Sequence, residues 1–190
     1  MEDLLKKAID IAYLKHYGQY RKGDNKARAI FHPIEVASIT SCMTSDDNVI
    51  IAAFLHDTIE DTDYTIDELK NDFNEDILEL VLLETEDKMI NAPKDMSWKL
   101  RKSEFIDRLG KSKNERAYII VLADKLANLR SLYREYSVLG DKAFNMFNMK
   151  DKNEQRWYYE SVLEILKPSL SDSPFFKEAI ELINKIFGDK

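Results

Sequence analysis

The chain has 190 residues, of which 44% are hydrophobic and 33% charged, with a formal net charge of −7. That length suits one domain with a sizeable core. The acidic balance argues against a dedicated nucleic-acid binder, which is normally basic, but leaves room for a small anionic ligand held by local charge in a cleft.

A single cysteine, Cys42, rules out an intrachain disulfide and a thiolate zinc site, and fits a reducing compartment. It follows an apolar stretch and reads as a small core residue. Only 5 glycines and 4 prolines punctuate the chain, so long helices are favoured over many short strands. The expected fold class is all-α: a compact single-domain bundle of about ten helices covering residues 1–190.

In chain order, the opening segment MEDLLKKAIDIAYLKH mixes apolar residues at helical spacing with both signs of charge, as in an amphipathic helix over 2–17 and unlike a signal peptide. Residues 18–31 form a loop, and Pro33 opens a helix over 33–44 from its first position. One helix is expected over 46–61. The next, 65–73, carries a Thr65–Glu68 capping box, and another spans 75–87. After a loop over 87–96 come helices at 97–109 and 113–136, the latter with a Ser112–Glu115 capping box. Helices at 141–149 and 151–167 follow, then a short hinge at 168–173 and a last helix at 174–187, opened by Pro174 after Ser173 and stopped by Gly188. That last helix either packs on the domain or serves a homo-oligomer. The longest apolar runs, Val49–Leu55 and Ala117–Ala123, are seven residues each, whereas a membrane helix needs about 20. A soluble, cytoplasmic protein without membrane contact is expected.

The candidate chemistry lies at the ends of those two runs. In AAFLHDTIEDT, His56 and Asp57 close an apolar segment, and charge placed there needs capping, solvent or a metal ion to offset its desolvation. On a continuous helix His56 would stack over Glu60, and Asp57 over Asp61. In AYIIVLADKLANLR, Asp124 ends the second run, with Asn128 on its face; taken alone, Asp124 would do no more than pair with a neighbouring lysine. His32 precedes Pro33 in AIFHPIEVA, where a lone histidine usually caps or packs. Together His32, His56, Asp57 and Asp124 offer two nitrogens and two carboxylates, a set suited to a borderline divalent cation. Without thiolates and with positions left for water, such a site would be catalytic. The segment 15–28 is basic, with Lys15, Arg21, Lys22, Lys26 and Arg28 against Asp24. Arginine is suited to bidentate phosphate contacts. Lys26 and Arg28 read as solvated surface.

The order H…HD…D resembles the HD superfamily of metal-dependent phosphohydrolases. HYGQYRKGD, HPIEVA, FLHDTIEDT and LADKLANLR, spread over residues 8–135, more closely resemble the hydrolase domain of the Rel/Spo alarmone enzymes and the small alarmone hydrolases. The resemblance implies a helical HD domain; residues 141–187, which resemble the family only loosely, are expected to pack on it. It implies one divalent cation, usually Mn²⁺, on His32, His56, Asp57 and Asp124, and an acidic catalytic pair, Glu60 and Asp61. Arg21, Lys22 and Asn128 would contact an anionic nucleotide, with no nucleic-acid polymer involved. The implied reaction releases pyrophosphate from the 3′ position of ppGpp or pppGpp, leaving GDP or GTP. Thr85–Lys88 and Arg101–Lys102 match further family segments with less defined roles. Where the family commonly has Pro-Tyr-Ile, this chain has Ala29-Ile30-Phe31. That departure keeps open an HD hydrolase for another nucleotide. A silent nucleotide-binding module is the third reading, and the intact Glu60–Asp61 pair speaks against it. His16 is expected to play a structural or supporting part. Trp157, Tyr158 and Tyr159 are consecutive and cannot all face one side.

Overall fold

The computed structural model describes residues 2–23, 27–86 and 94–188. Among these the protein is all-helical. Its elements are α1 (Glu2–Lys15), α2 (Phe31–Ser41), α3 (Asp47–Leu55), α4 (Thr58–Asp61), α5 (Ile66–Asp72), α6 (Glu75–Glu84), α7 (Lys94–Ser112), α8 (Glu115–Leu139), a 3-10 segment (Gly140–Met146), α9 (Lys152–Leu170) and α10 (Pro174–Phe187). The single β-bridge among them pairs Tyr20 with Arg28 and ties together the base of the loop before α2.

Two helices organise the core. α8 contributes buried residues along most of its 25-residue length and packs against α2, α3, α6, α9, α10 and the 3-10 segment. α3, whose sequence DNVIIAAFL is apolar on nearly every face, packs against α1, α2, α6 and α8. A helix apolar all round must be covered all round, and these neighbours cover it. α2, α3 and α8 touch one another pairwise, and their meeting point carries the site.

Several boundaries differ from the sequence expectation. The 46–61 helix breaks at His56–Asp57. The Nδ1–H of His56 donates to the Ala53 carbonyl at 2.8 Å, and the Thr58 hydroxyl donates to the Leu55 carbonyl at 2.6 Å. Carbonyls that would extend α3 are thus taken by side chains, which ends the helix. Helix α2 starts at Phe31, so Pro33 is its third residue; that position still lies in the first turn, where a missing N–H costs nothing. The Thr65–Glu68 capping box is present. The one at Ser112–Glu115 is not: α7 runs through Ser112, and Asn114 caps α8 by accepting from the Arg116 and Ala117 amides. The segment 141–149 is a 3-10 turn over Gly140–Met146. The hinge at 168–173 shrinks to 171–173, because α9 continues to Leu170 with Pro168 inside its last turn. Of the 87–96 loop, residues 87–93 lie outside the described residues, and 94–96 belong to α7. Cys42 caps α2 at the surface and is exposed, so it is not a core residue.

Leu126 has no exposed surface and sits on α8 among the core side chains. Leu126→Ala is expected to destabilise the protein by about 2–5 kcal/mol through lost transfer energy and the cavity left behind. The shift of the urea midpoint at constant m measures it.

Candidate active site

His32 comes from the first turn of α2, His56 and Asp57 from the break after α3, and Asp124 from the middle of α8. The fold brings all four together. His32 Nε2 lies 3.0 Å from Asp124 Oδ1 and 3.3 Å from Asp57 Oδ2. His56 Nε2 lies 3.1 Å from Asp57 Oδ1, 3.8 Å from Asp124 Oδ1 and 3.3 Å from His32 Nε2. Donor atoms of His32, His56 and Asp124 fall within 4.8 Å of one another.

The chemistry of this donor set fits a cation. The His56 Nδ1–H is committed to the Ala53 carbonyl, so Nε2 is the free position of the ring and points into the cluster. Two bare Nε2 lone pairs 3.3 Å apart cannot bond to each other; only a proton or a cation between them and the carboxylates satisfies both. Burial opposes charge on His56, yet the Asp57 and Asp124 carboxylates outweigh it and hold the imidazole well above its ordinary pKa. Burial likewise opposes ionisation of Asp57 and Asp124. His56 and His32 hold Asp57 well below the usual carboxylate range, and Lys125 with the two histidines does the same for Asp124.

This cluster opens on a cavity of about 580 Å³. Glu60, Asp61, Arg21, Lys22 and Asn128 all line it, together with His32, Asp57 and Asp124, while His56 is buried behind its wall. Burial, then the Glu86, Asp57 and Asp61 carboxylates, push Glu60 up to about 7, with Lys102 opposing. Asp61 is exposed, and its amide donates to the Asp57 carbonyl at 2.8 Å, the bond that closes the single turn of α4. Arg21 donates to the Asn128 side-chain oxygen at 2.8 Å, and Asn128 donates to Asp124 Oδ1 at 2.6 Å. Asn128 is therefore a partner of Asp124 as well as a cavity residue. Lys22 is exposed at the rim.

His16 is buried, pairs with Gln19 through Nδ1 at 2.9 Å and also faces the cavity, while the Gln19 amide donates to the Asp61 carbonyl. This is the supporting part expected of it: the end of α1 is tied to the end of α4. Tyr158 and Tyr159 are buried along the cavity wall, whereas Trp157 is half-buried away from it, against Trp98 and beneath Lys99.

Sequence reasoning missed Glu84 and Lys125, and it matched Glu86, Arg101 and Lys102 to family segments without giving them a defined role. Glu86 is buried and held by Arg101 at 3.1 Å and Lys102 at 2.6 Å, so these two bases neutralise a carboxylate beside the site. Glu84 and Lys125 are also buried in the wall. Burial, against the pull of Lys125, pushes Glu84 up to about 7. The one available signal was the helical register of Glu84 and Lys125, which places charge on otherwise apolar faces.

Fold and site together define a helical protein with a mixed imidazole–carboxylate centre at the floor of a charged cavity. The HD domain family model matches residues 8–148, and the chain belongs to that family. It is similar to the guanosine-3′,5′-bis(diphosphate) 3′-pyrophosphohydrolase MESH1 of Xenopus tropicalis, with 38% identity over 133 residues, 69% of this chain and 70% of that protein. Its likeness to human MESH1 is 36% over 132 residues, covering 68% and 70% of the two chains. Among solved structures, one described as a metazoan ortholog of SpoT that hydrolyses ppGpp superposes with a TM-score of 0.76 at 26% identity, over 96% of this chain and 94% of that one. No described helix is long and apolar enough to cross a membrane.

Glu60 gives a pH signature. Its pKa is raised from 4.5 to about 7 on folding, so the folded protein binds the proton more tightly. The stability this contributes is present below about 4.5 and is lost as pH rises through about 7. Urea midpoints of the metal-free protein should therefore fall between pH 5 and 8, and less steeply in Glu60→Gln. An unchanged pH profile in that variant counts against the assignment.

Proposed function

We propose that this protein hydrolyses the 3′-pyrophosphate of guanosine alarmones, ppGpp and pppGpp, to give pyrophosphate and GDP or GTP. In this reading residues 1–190 act as one HD-type hydrolase domain, with residues 141–187 part of it. One divalent cation, Mn²⁺ by the family resemblance, binds His32, His56, Asp57 and Asp124. The observation that carries the reading is the four-donor cluster opening on a cavity that also holds Glu60, Arg21 and Lys22. The likeness to MESH1 supports the substrate.

A cation in this site would acidify water and offset charge on the phosphoryl oxygens. The protein's own groups do the rest. Glu60, with its pKa near 7, is poised to take the proton of the attacking water close to neutral pH. Asp61 lies beside it and orients the same water. Arg21 offers a planar fork to phosphate oxygens, and Lys22 adds a point charge at the rim. On binding, Arg21 exchanges its bond to Asn128 for phosphate, leaving the Asn128 carboxamide oxygen facing the nucleotide. Attack at the phosphorus joined to the ribose breaks its bond to the ribose 3′-oxygen, which leaves with the electron pair and takes up a proton to become the 3′-hydroxyl, and pyrophosphate is released.

The test is pyrophosphate release from ppGpp by the purified protein with Mn²⁺, beside ppApp and other 3′-phosphorylated nucleotides. Turnover of ppGpp is expected. Glu60→Gln should keep Mn²⁺ and lose about 10²–10⁴ in kcat, whereas Asp57→Ala should lose the metal. Metal binding without turnover of any of these nucleotides would overturn the enzymatic reading.

A further inference from the structure

Lys125 follows Asp124 on α8, and its side chain turns inward until the residue is only 7% exposed. A lysine that deep persists only where its charge is matched. Its ammonium donates to Asp124 Oδ2 and lies 4.0 Å from Glu84 Oε2. The rings of Phe105 and Tyr158 stand 4.9 and 5.6 Å away and add cation–π attraction. The other Asp124 oxygen, Oδ1, accepts from Asn128 at 2.6 Å and faces His32 Nε2 at 3.0 Å. The two oxygens are thus divided: Oδ2 is engaged by Lys125, and Oδ1 is presented to the imidazoles.

We propose that Lys125, anchored by Glu84, is a positioning residue that restricts Asp124 to one-oxygen ligation and thereby sets the metal affinity of the site. The proposal rests on the reading of His32, His56, Asp57 and Asp124 as the ligand set. Two other roles for Lys125 make different predictions. A buried ion pair kept for stability alone is weakly motivated, since apolar replacements are often neutral or better. Charge alone has the wrong sign: an ammonium beside a cation site repels the cation, so its removal would tighten binding. Positioning requires that removal weaken binding.

The experiment titrates the metal-free protein with Mn²⁺ alone by calorimetry, with no nucleotide present. Three proteins are compared: wild type, Lys125→Met, and Lys125→Met combined with Glu84→Gln. With the titrations run at pH 8, above the Glu84 pKa of about 7, the double variant removes one positive and one negative charge together, so local net charge is nearly unchanged and Glu84 is not left as an unpaired buried carboxylate. It carries the test if the single variant does not fold. Both variants are expected to bind Mn²⁺ about 10–100-fold more weakly, the range seen when groups supporting a metal ligand are lost. Affinity equal to or tighter than wild type in the double variant overturns the proposal, as does a lowered melting temperature with unchanged affinity. A wild-type protein that binds no Mn²⁺ instead removes the ligand assignment itself, and this inference with it.

Discussion

Everything about the site follows from the cost of desolvating two imidazoles and two carboxylates at the junction of α2, α3 and α8. Charged groups so placed are tolerated only when they satisfy one another or a cation. Here every donor faces its opposite: His32 lies between Asp57 and Asp124, and His56 does the same from behind. Holding these atoms within a few ångströms demands rigid supports. α8 supplies one by being long and covered on most sides. α3 supplies another by ending where His56 and Thr58 capture its last carbonyls. The helix break is thus part of the site: it turns Asp57 toward the cavity while His56 stays inside.

Around that centre the charges are layered. Glu60 and Glu84, both pushed up to about 7, can hold protons near neutrality. Glu86 is neutralised by Arg101 and Lys102, and Asp124 is braced by Lys125 and Asn128. An acidic chain of net charge −7 thus still places bases around its cavity, Arg21 and Lys22 from the loop before α2 and Arg101 and Lys102 from α7. The Arg21–Asn128–Asp124 chain of hydrogen bonds joins the loop before α2 to the imidazole–carboxylate cluster.

The sequence by itself determined the all-helical class, since sparse glycine and proline together with apolar residues at helical spacing leave little else. It also picked out candidate residues that the fold brings together at one junction. Charges that end two long apolar runs marked His56, Asp57 and Asp124 as candidates, and the combination with His32 as a mixed imidazole–carboxylate set gave them weight. Local signals also marked the Thr65 cap, Pro174 and Gly188, because a cap depends on neighbours a few residues away. Only the tertiary structure decided the rest. The helix break at His56–Asp57 depends on side chains competing for carbonyls, which a periodic pattern does not register. The pairing of Glu86 with Arg101 and Lys102, and of Lys125 with Asp124 and Glu84, joins residues on different helices, or on one helix turned toward a shared interior. Whether a charge is solvated, paired or poised depends on what packs over it, and that is set by how α6, α7, α8 and α9 close around the cavity.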